Sequence, residues 1–130
     1  MRRKCDFSVL PMPELRLYHS RKKCEKFLAR HQIPFDLIDG ADAQTWTFRD
    51  GGMPYAVVLY DGDIQYDYWE DMGMLAHEAT HIALFAFGDI GESEPAEEEM
   101  CYTVQAISKW LCKAHFKWKE KRIAVSSGEK

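Results

Sequence analysis

The residues of this sequence that could do chemistry are His77-Glu78-Ala79-Thr80-His81, which have the pattern HExxH. Residues four apart on a helix lie on one face, so both imidazoles can bind the same metal ion. Glu78 cannot easily ligate that ion together with them, but it is placed to take a proton from a metal-bound water. Zinc suits an N/O site with two histidines and lowers the pKa of its bound water to about 7. The motif therefore predicts a zinc site at His77 and His81, with Glu78 as general base.

The motif is specific for a chain of this composition. Five histidines and eleven glutamates occur in 130 residues, which gives roughly 0.016 matches to such a motif by chance. The alternative is a hydrogen-bonded polar cluster that holds no metal. It is disfavoured because the surrounding residues predict a buried helix, where unpaired histidines and a glutamate would be costly.

A third ligand is required, because catalytic zinc sites usually have three protein ligands and one open position. A metzincin would have glycine and histidine where this chain has Leu84 and Phe87, which excludes that class. Glutamates 97 to 99 lie 16 to 18 residues beyond the second histidine, enough for a turn and an antiparallel return. Acidic residues in a first helical turn often only complement the helix dipole. Helical position alone leaves Glu97 and Glu98 both open.

The N-terminal elements follow from alternation and capping signals. Alternation at Leu15 and Leu17 predicts a strand, and Ser20 is a good N-cap for a helix from Arg21 to His31. Gln44–Phe48 and Tyr55–Tyr60 are rich in strand-forming residues, and the turn signal between them predicts a hairpin with a loop of about five residues.

Two long helices follow the hairpin. Asp71 is predicted to cap a helix from Met72 to Phe87, which is apolar on nearly every face and is therefore expected to be central. A second helix is predicted from about Ala96 to Trp118. These elements predict one α+β domain over residues 1–119 and a flexible tail over residues 120–130.

Composition limits the partners and the location. The formal net charge of −4 does not favour nucleic acid. No apolar run approaches the length of a membrane span, and no apolar h-region follows the basic N-terminus, so no signal peptide is expected. None of the four cysteines forms a CxxC pair, which predicts reduced thiols. These features predict a cytoplasmic protein.

The stretch Leu75–Leu111 resembles small phage proteins that are predicted to be minimal gluzincins. Those proteins have HExxH, apolar residues, a short polar loop, and then Glu-x-x-Ala-Tyr opening a helix. Glu98 and Tyr102 match that pattern here, with Cys101 in place of alanine. The resemblance implies that Glu98 is the third zinc ligand, with Glu97 as the fallback. It also implies a zincin-like order of an N-terminal helix, a short, mainly antiparallel sheet of about three strands, and two long ligand-bearing helices.

The resemblance implies a metallopeptidase-like site, but it does not supply a substrate. We expect a zinc metallopeptidase that acts on an unknown peptide or protein, with a host or phage regulatory protein as a candidate partner. If the protein is phage-encoded, the expected location is the host bacterial cytoplasm. The alternative is a binding or inhibitor protein that keeps the zincin site structurally. Tyr102 is a candidate donor to a metal ligand. The candidates for the oxyanion stabiliser that peptide hydrolysis needs are Tyr60, Tyr66, Tyr68, His19 and His115.

Overall fold

The chain folds around one sheet that carries helices on both faces. A computed structural model describes residues 2–3, 12–38, 40–61, 66–91 and 96–128. Its elements in chain order are β1 (Arg2–Arg3), β2 (Glu14–Tyr18), α1 (Arg21–Arg30), β3 (Ala43–Asp50), β4 (Met53–Tyr60), α2 (Tyr68–Asp89) and α3 (Glu97–Gly128). The predicted α+β class is confirmed.

The sheet is mixed, with strand order β1-β2-β4-β3. β2 and β4 run parallel, whereas the β1–β2 and β3–β4 pairs are antiparallel. The first helix therefore does not precede the sheet, as the predicted order had it, but follows β2. The reason is the parallel pair, because parallel neighbours need a long crossover connection and α1 lies within it.

The β3–β4 hairpin makes β3 an edge strand. Its pairing runs from Ala43 opposite Tyr60 to Asp50 opposite Met53. Only Gly51 and Gly52 connect the strands, with φ values of 59° and 80°. A two-residue turn of this kind needs positive φ at both positions, which glycine adopts without strain. The hairpin prediction is confirmed, but its loop is shorter than expected.

Each face of the sheet has its own core. Ala56, Val58 and Tyr60 of β4 pack with α2 and α3 on one face, together with Leu15 and Leu17 of β2. On the other face, the alternate β4 residues pack against α1; this second core contains Cys24, Phe27, Leu28, Val57 and Leu59. The period-two alternation of the strands divides the side chains between the two cores.

Helix α2 carries the HExxH motif and begins earlier than predicted. Its N-cap is Asp67, whose side chain accepts a hydrogen bond from the backbone N–H of Glu70 at 2.8 Å. Asp71, the predicted cap, lies inside the helix and is buried. The helix packs into the core through Leu75, Ala79 and Ile82, as expected of a central helix. Its opposite face is open, because Trp69 is 77% exposed and Leu84 is 56% exposed.

Helix α3 packs antiparallel to α2. The rings of Tyr68 and Phe116 stack at 5.2 Å, and the Cys112 thiol contacts the Met72 sulfur at 3.6 Å. The helix continues to Gly128, ten residues beyond the predicted end, so most of the proposed tail is helical. None of the helices in the described ranges is both long enough and apolar enough to cross a membrane.

Candidate metal centre

The two motif histidines present their ring nitrogens to each other on one face of α2. The Nε2 atoms of His77 and His81 lie 3.2 Å apart, and the rings are inclined at 74°. Two zinc–nitrogen bonds of about 2.0 Å at a tetrahedral angle place their nitrogens about 3.3 Å apart. Both side chains are exposed. The pair therefore has the spacing and the access that two ligands of one zinc ion need.

Glu78 lies beside this pair but is buried, with 4% of its surface exposed. Its Oε2 atom is 3.8 Å from His77 Nε2. Its Oε1 atom accepts a hydrogen bond of 2.8 Å from the Thr45 hydroxyl on β3. Within the described ranges, His77, Glu78 and His81 form the one group of three or more His, Cys, Asp or Glu residues whose donor atoms could hold a metal ion.

An open cleft of about 390 Å³ lies between α2 and the edge strand β3. Thr45 and Thr47 face it because their β4 partners, Val58 and Ala56, point to the α2 side of the sheet. The residues lining the cleft are Ile38, Ala41, Ala43, Gln44, Thr45, Thr47, His77, Glu78 and His81. The motif thus faces a space that is open to solvent and bounded by a strand edge.

The glutamates at the start of α3 do not belong to the group formed by His77, Glu78 and His81. Glu98, like Glu97 and Glu99, is exposed in the first turn of α3 and does not belong to the potential metal-binding group. Among the described residues, no hydrogen bond or ion pair joins Glu98 to that group, and Glu98 does not line the cleft. Its role as third ligand therefore stays a prediction.

The candidate oxyanion stabilisers lie elsewhere. None of the five residues predicted for that role lines the described cleft. Tyr68 stacks on Phe116, and the Tyr66 hydroxyl donates to the Asp42 carboxylate. Tyr102 is 60% exposed on α3 and is likewise absent from the lining residues. Thr45 is the contact that the sequence did not indicate, because a threonine in an alternating strand has no chemical signature of its own.

A second histidine pair lies in the interior. His19 Nε2 and His115 Nδ1 are 2.9 Å apart, and the His19 ring stacks on Trp118 at a centroid distance of 3.7 Å. Burial, followed by the neighbouring charge of His115, lowers the pKa of His19 to about 3. Burial also lowers the pKa of His115. These residues join the end of β2 to α3.

Asp71 is the acceptor at the centre of this interior cluster. Its carboxylate accepts from Tyr60 at 2.5 Å and from Lys119 at 2.6 Å, and it lies 3.1 Å from His115 Nε2. Burial alone would raise the pKa of Asp71, but the hydrogen bonds from Lys119, Tyr60 and His115 outweigh it and lower the pKa. Three of the five oxyanion candidates, Tyr60, His19 and His115, therefore belong to this cluster and not to the cleft.

Comparisons of the chain with models of protein families, with curated proteins and with solved structures find no match.

Proposed function

We propose that the protein is a zinc-dependent metallopeptidase of the gluzincin type, with His77 and His81 as metal ligands and Glu78 as general base. The observation that carries the proposal is the 3.2 Å separation of the two Nε2 atoms at an open cleft, with the buried Glu78 carboxylate beside them. A donor set of two imidazoles, with Glu98 as the proposed carboxylate ligand, suits zinc among the common divalent ions.

The bound zinc would supply Lewis acidity at the cleft, polarising a substrate carbonyl and acidifying water. The chain's own residues do the remaining work. One carboxylate oxygen of Glu78 points toward His77 and the cleft. A general base at this position can accept a proton from a group bound in the cleft. The burial of Glu78 excludes bulk water from the other side of the carboxylate.

The edge strand supports a peptide as the substrate class. β3 lies at the edge of the sheet and lines the same cleft as His77 and His81. An extended peptide can add to an exposed strand edge through main-chain hydrogen bonds. A peptide bound along β3 would pass next to the motif, so binding and hydrolysis would use one surface.

Metal analysis of the untagged protein tests the site. We expect about one zinc per wild-type chain by elemental mass spectrometry, and its loss in His77→Ala. Glu98→Ala should weaken zinc binding and Glu97→Ala should not, if Glu98 moves onto the metal as the third ligand. No zinc in the wild-type protein, even after titration, would refute the proposal. A Glu78→Gln variant should keep the zinc and lose hydrolysis of a peptide library.

A binding protein that keeps the zinc site structurally is the second candidate. The exposed aromatic pair at the start of α2 favours it, because Tyr68 and Trp69 are 51% and 77% exposed and touch edge to face. Exposed aromatic side chains are enriched at protein interfaces. Under this alternative Glu78→Gln keeps full biological effect, whereas Trp69→Ala loses it.

A further inference from the structure

The Glu78 carboxylate has one oxygen held and the other free for chemistry. Oε1 accepts the 2.8 Å hydrogen bond from Thr45 Oγ1, whereas Oε2 is turned toward His77 Nε2 at 3.8 Å. A glutamate side chain has several rotatable bonds, so a buried carboxylate without a partner would be poorly oriented and costly to bury. The threonine hydroxyl provides that partner from a different element of the fold.

Thr45 is well suited to orient the Glu78 carboxylate because it lies on a strand of the sheet. It lies opposite Val58, within the β3–β4 ladder, so its backbone is held by the sheet. Its side chain is β-branched and therefore stiff at χ1. A rigid strand residue thus orients a side chain that a helix carries, which is how a site on two elements is kept at a defined geometry.

We propose that Thr45 is the positioning residue for the general base, and that it also sets the register between a bound peptide and Glu78. The second part follows from its position on the edge strand: the backbone of Thr45 belongs to the surface on which a peptide would pair, and its hydroxyl holds the base. This inference rests on the proposed peptidase function, and the experiment separates the two.

The test compares Thr45→Val, which keeps the shape and removes the donor, with Thr45→Ser, which keeps the donor. Thr103→Val is the matched control, because it removes a buried threonine hydroxyl that donates to the Glu99 carbonyl away from the cleft. Bound zinc is measured first, and we expect it to be unchanged in all three variants.

Two readouts then follow. In the metal-free protein, the carboxyl-carbon NMR signal of Glu78, assigned by its loss in Glu78→Gln, should shift in Thr45→Val and return in Thr45→Ser. In the zinc-loaded protein, kcat on a cleaved peptide should fall roughly 10- to 100-fold in Thr45→Val with KM little changed, and Thr45→Ser should recover it. Thr103→Val should match the wild type in both.

The outcomes are distinguishable. An unchanged Glu78 signal in Thr45→Val, or a shifted signal with unchanged kcat, overturns the positioning role. A KM that rises while kcat stays at the wild-type value assigns Thr45 to peptide binding alone and also overturns it. A wild-type protein that holds no zinc or cleaves no peptide refutes the proposed function, while the carboxyl signal still reports whether Thr45 holds Glu78.

Discussion

Two histidine pairs in this molecule have nearly the same nitrogen separation and opposite surroundings. His77 and His81 lie 3.2 Å apart on the open face of α2, whereas His19 and His115 lie 2.9 Å apart under Trp118. The first pair lines an open cleft. The second lies next to the Asp71 carboxylate and joins three elements of the fold.

The difference shows that spacing alone does not make a metal site. A histidine ligand needs a ring nitrogen with a free lone pair and room for the ion and its remaining ligands. The nitrogens of both pairs lie within hydrogen-bond distance, so the difference lies in the surroundings. The motif pair lines an open cleft with room for an ion, whereas the remaining nitrogen of His115 faces Asp71. We therefore interpret the interior pair as a structural cluster, and the exposed pair stays the proposed metal site.

The largest expected change in stability comes from removing the negative charge of Asp71 in the interior cluster. Asp71→Asn leaves Lys119 and His115 facing a neutral amide in a buried position, which should lower the free energy of unfolding by about 3–5 kcal/mol. Urea denaturation measures the change. Asp89→Asn is the control, because it breaks the ion pair with the half-exposed Arg49 and should cost at most about 1 kcal/mol. Equal losses in the two variants would contradict the structural role of the cluster.

Zinc should stabilise the protein through the exposed pair only. At free zinc 100 times its dissociation constant, the free energy of unfolding should rise by about 2.7 kcal/mol. Thermal unfolding with and without zinc should show this gain in the wild type, no gain in His77→Ala, and the full gain in His19→Phe, which keeps the stacking on Trp118. If His19→Phe removed the gain and His77→Ala kept it, the interior pair would be the metal site.

A smaller change in the free energy of unfolding is expected when the pH is lowered. The pKa of His19 is about 3 in the fold against an ordinary value of 6.5, so between these values the unfolded chain takes up a proton that the folded chain does not. Stability is therefore complete above pH 6.5 and falls as the pH is lowered, by roughly 1 kcal/mol per pH unit. His19→Phe should reduce this slope in urea titrations between pH 6.5 and 5. The same slope in both proteins would show that His19 does not contribute.

Local patterns in the sequence were sufficient for most of the elements. Ser20 caps α1 as predicted, with its side chain accepting from the Lys23 N–H, and the hairpin strands lie where their alternation indicated. The parallel pairing of β2 with β4 could not be predicted, because it depends on contacts between residues some forty positions apart. The predicted start of α2 was also wrong, because Asp67 and Asp71 can both cap a helix and the sequence alone does not show which of them does.

The sequence by itself determined that His77 and His81 lie on one face of a helix, and only the tertiary structure decided which residues surround them. A helical step of four residues brings His77 and His81 together wherever the helix lies, because the spacing is a property of the helix alone. The contact of Thr45 with Glu78 spans 33 positions, and that of His19 with His115 spans 96. Such contacts depend on how strands and helices pack, and no local periodicity encodes them. The same packing leaves Glu98 at the solvent-exposed start of α3.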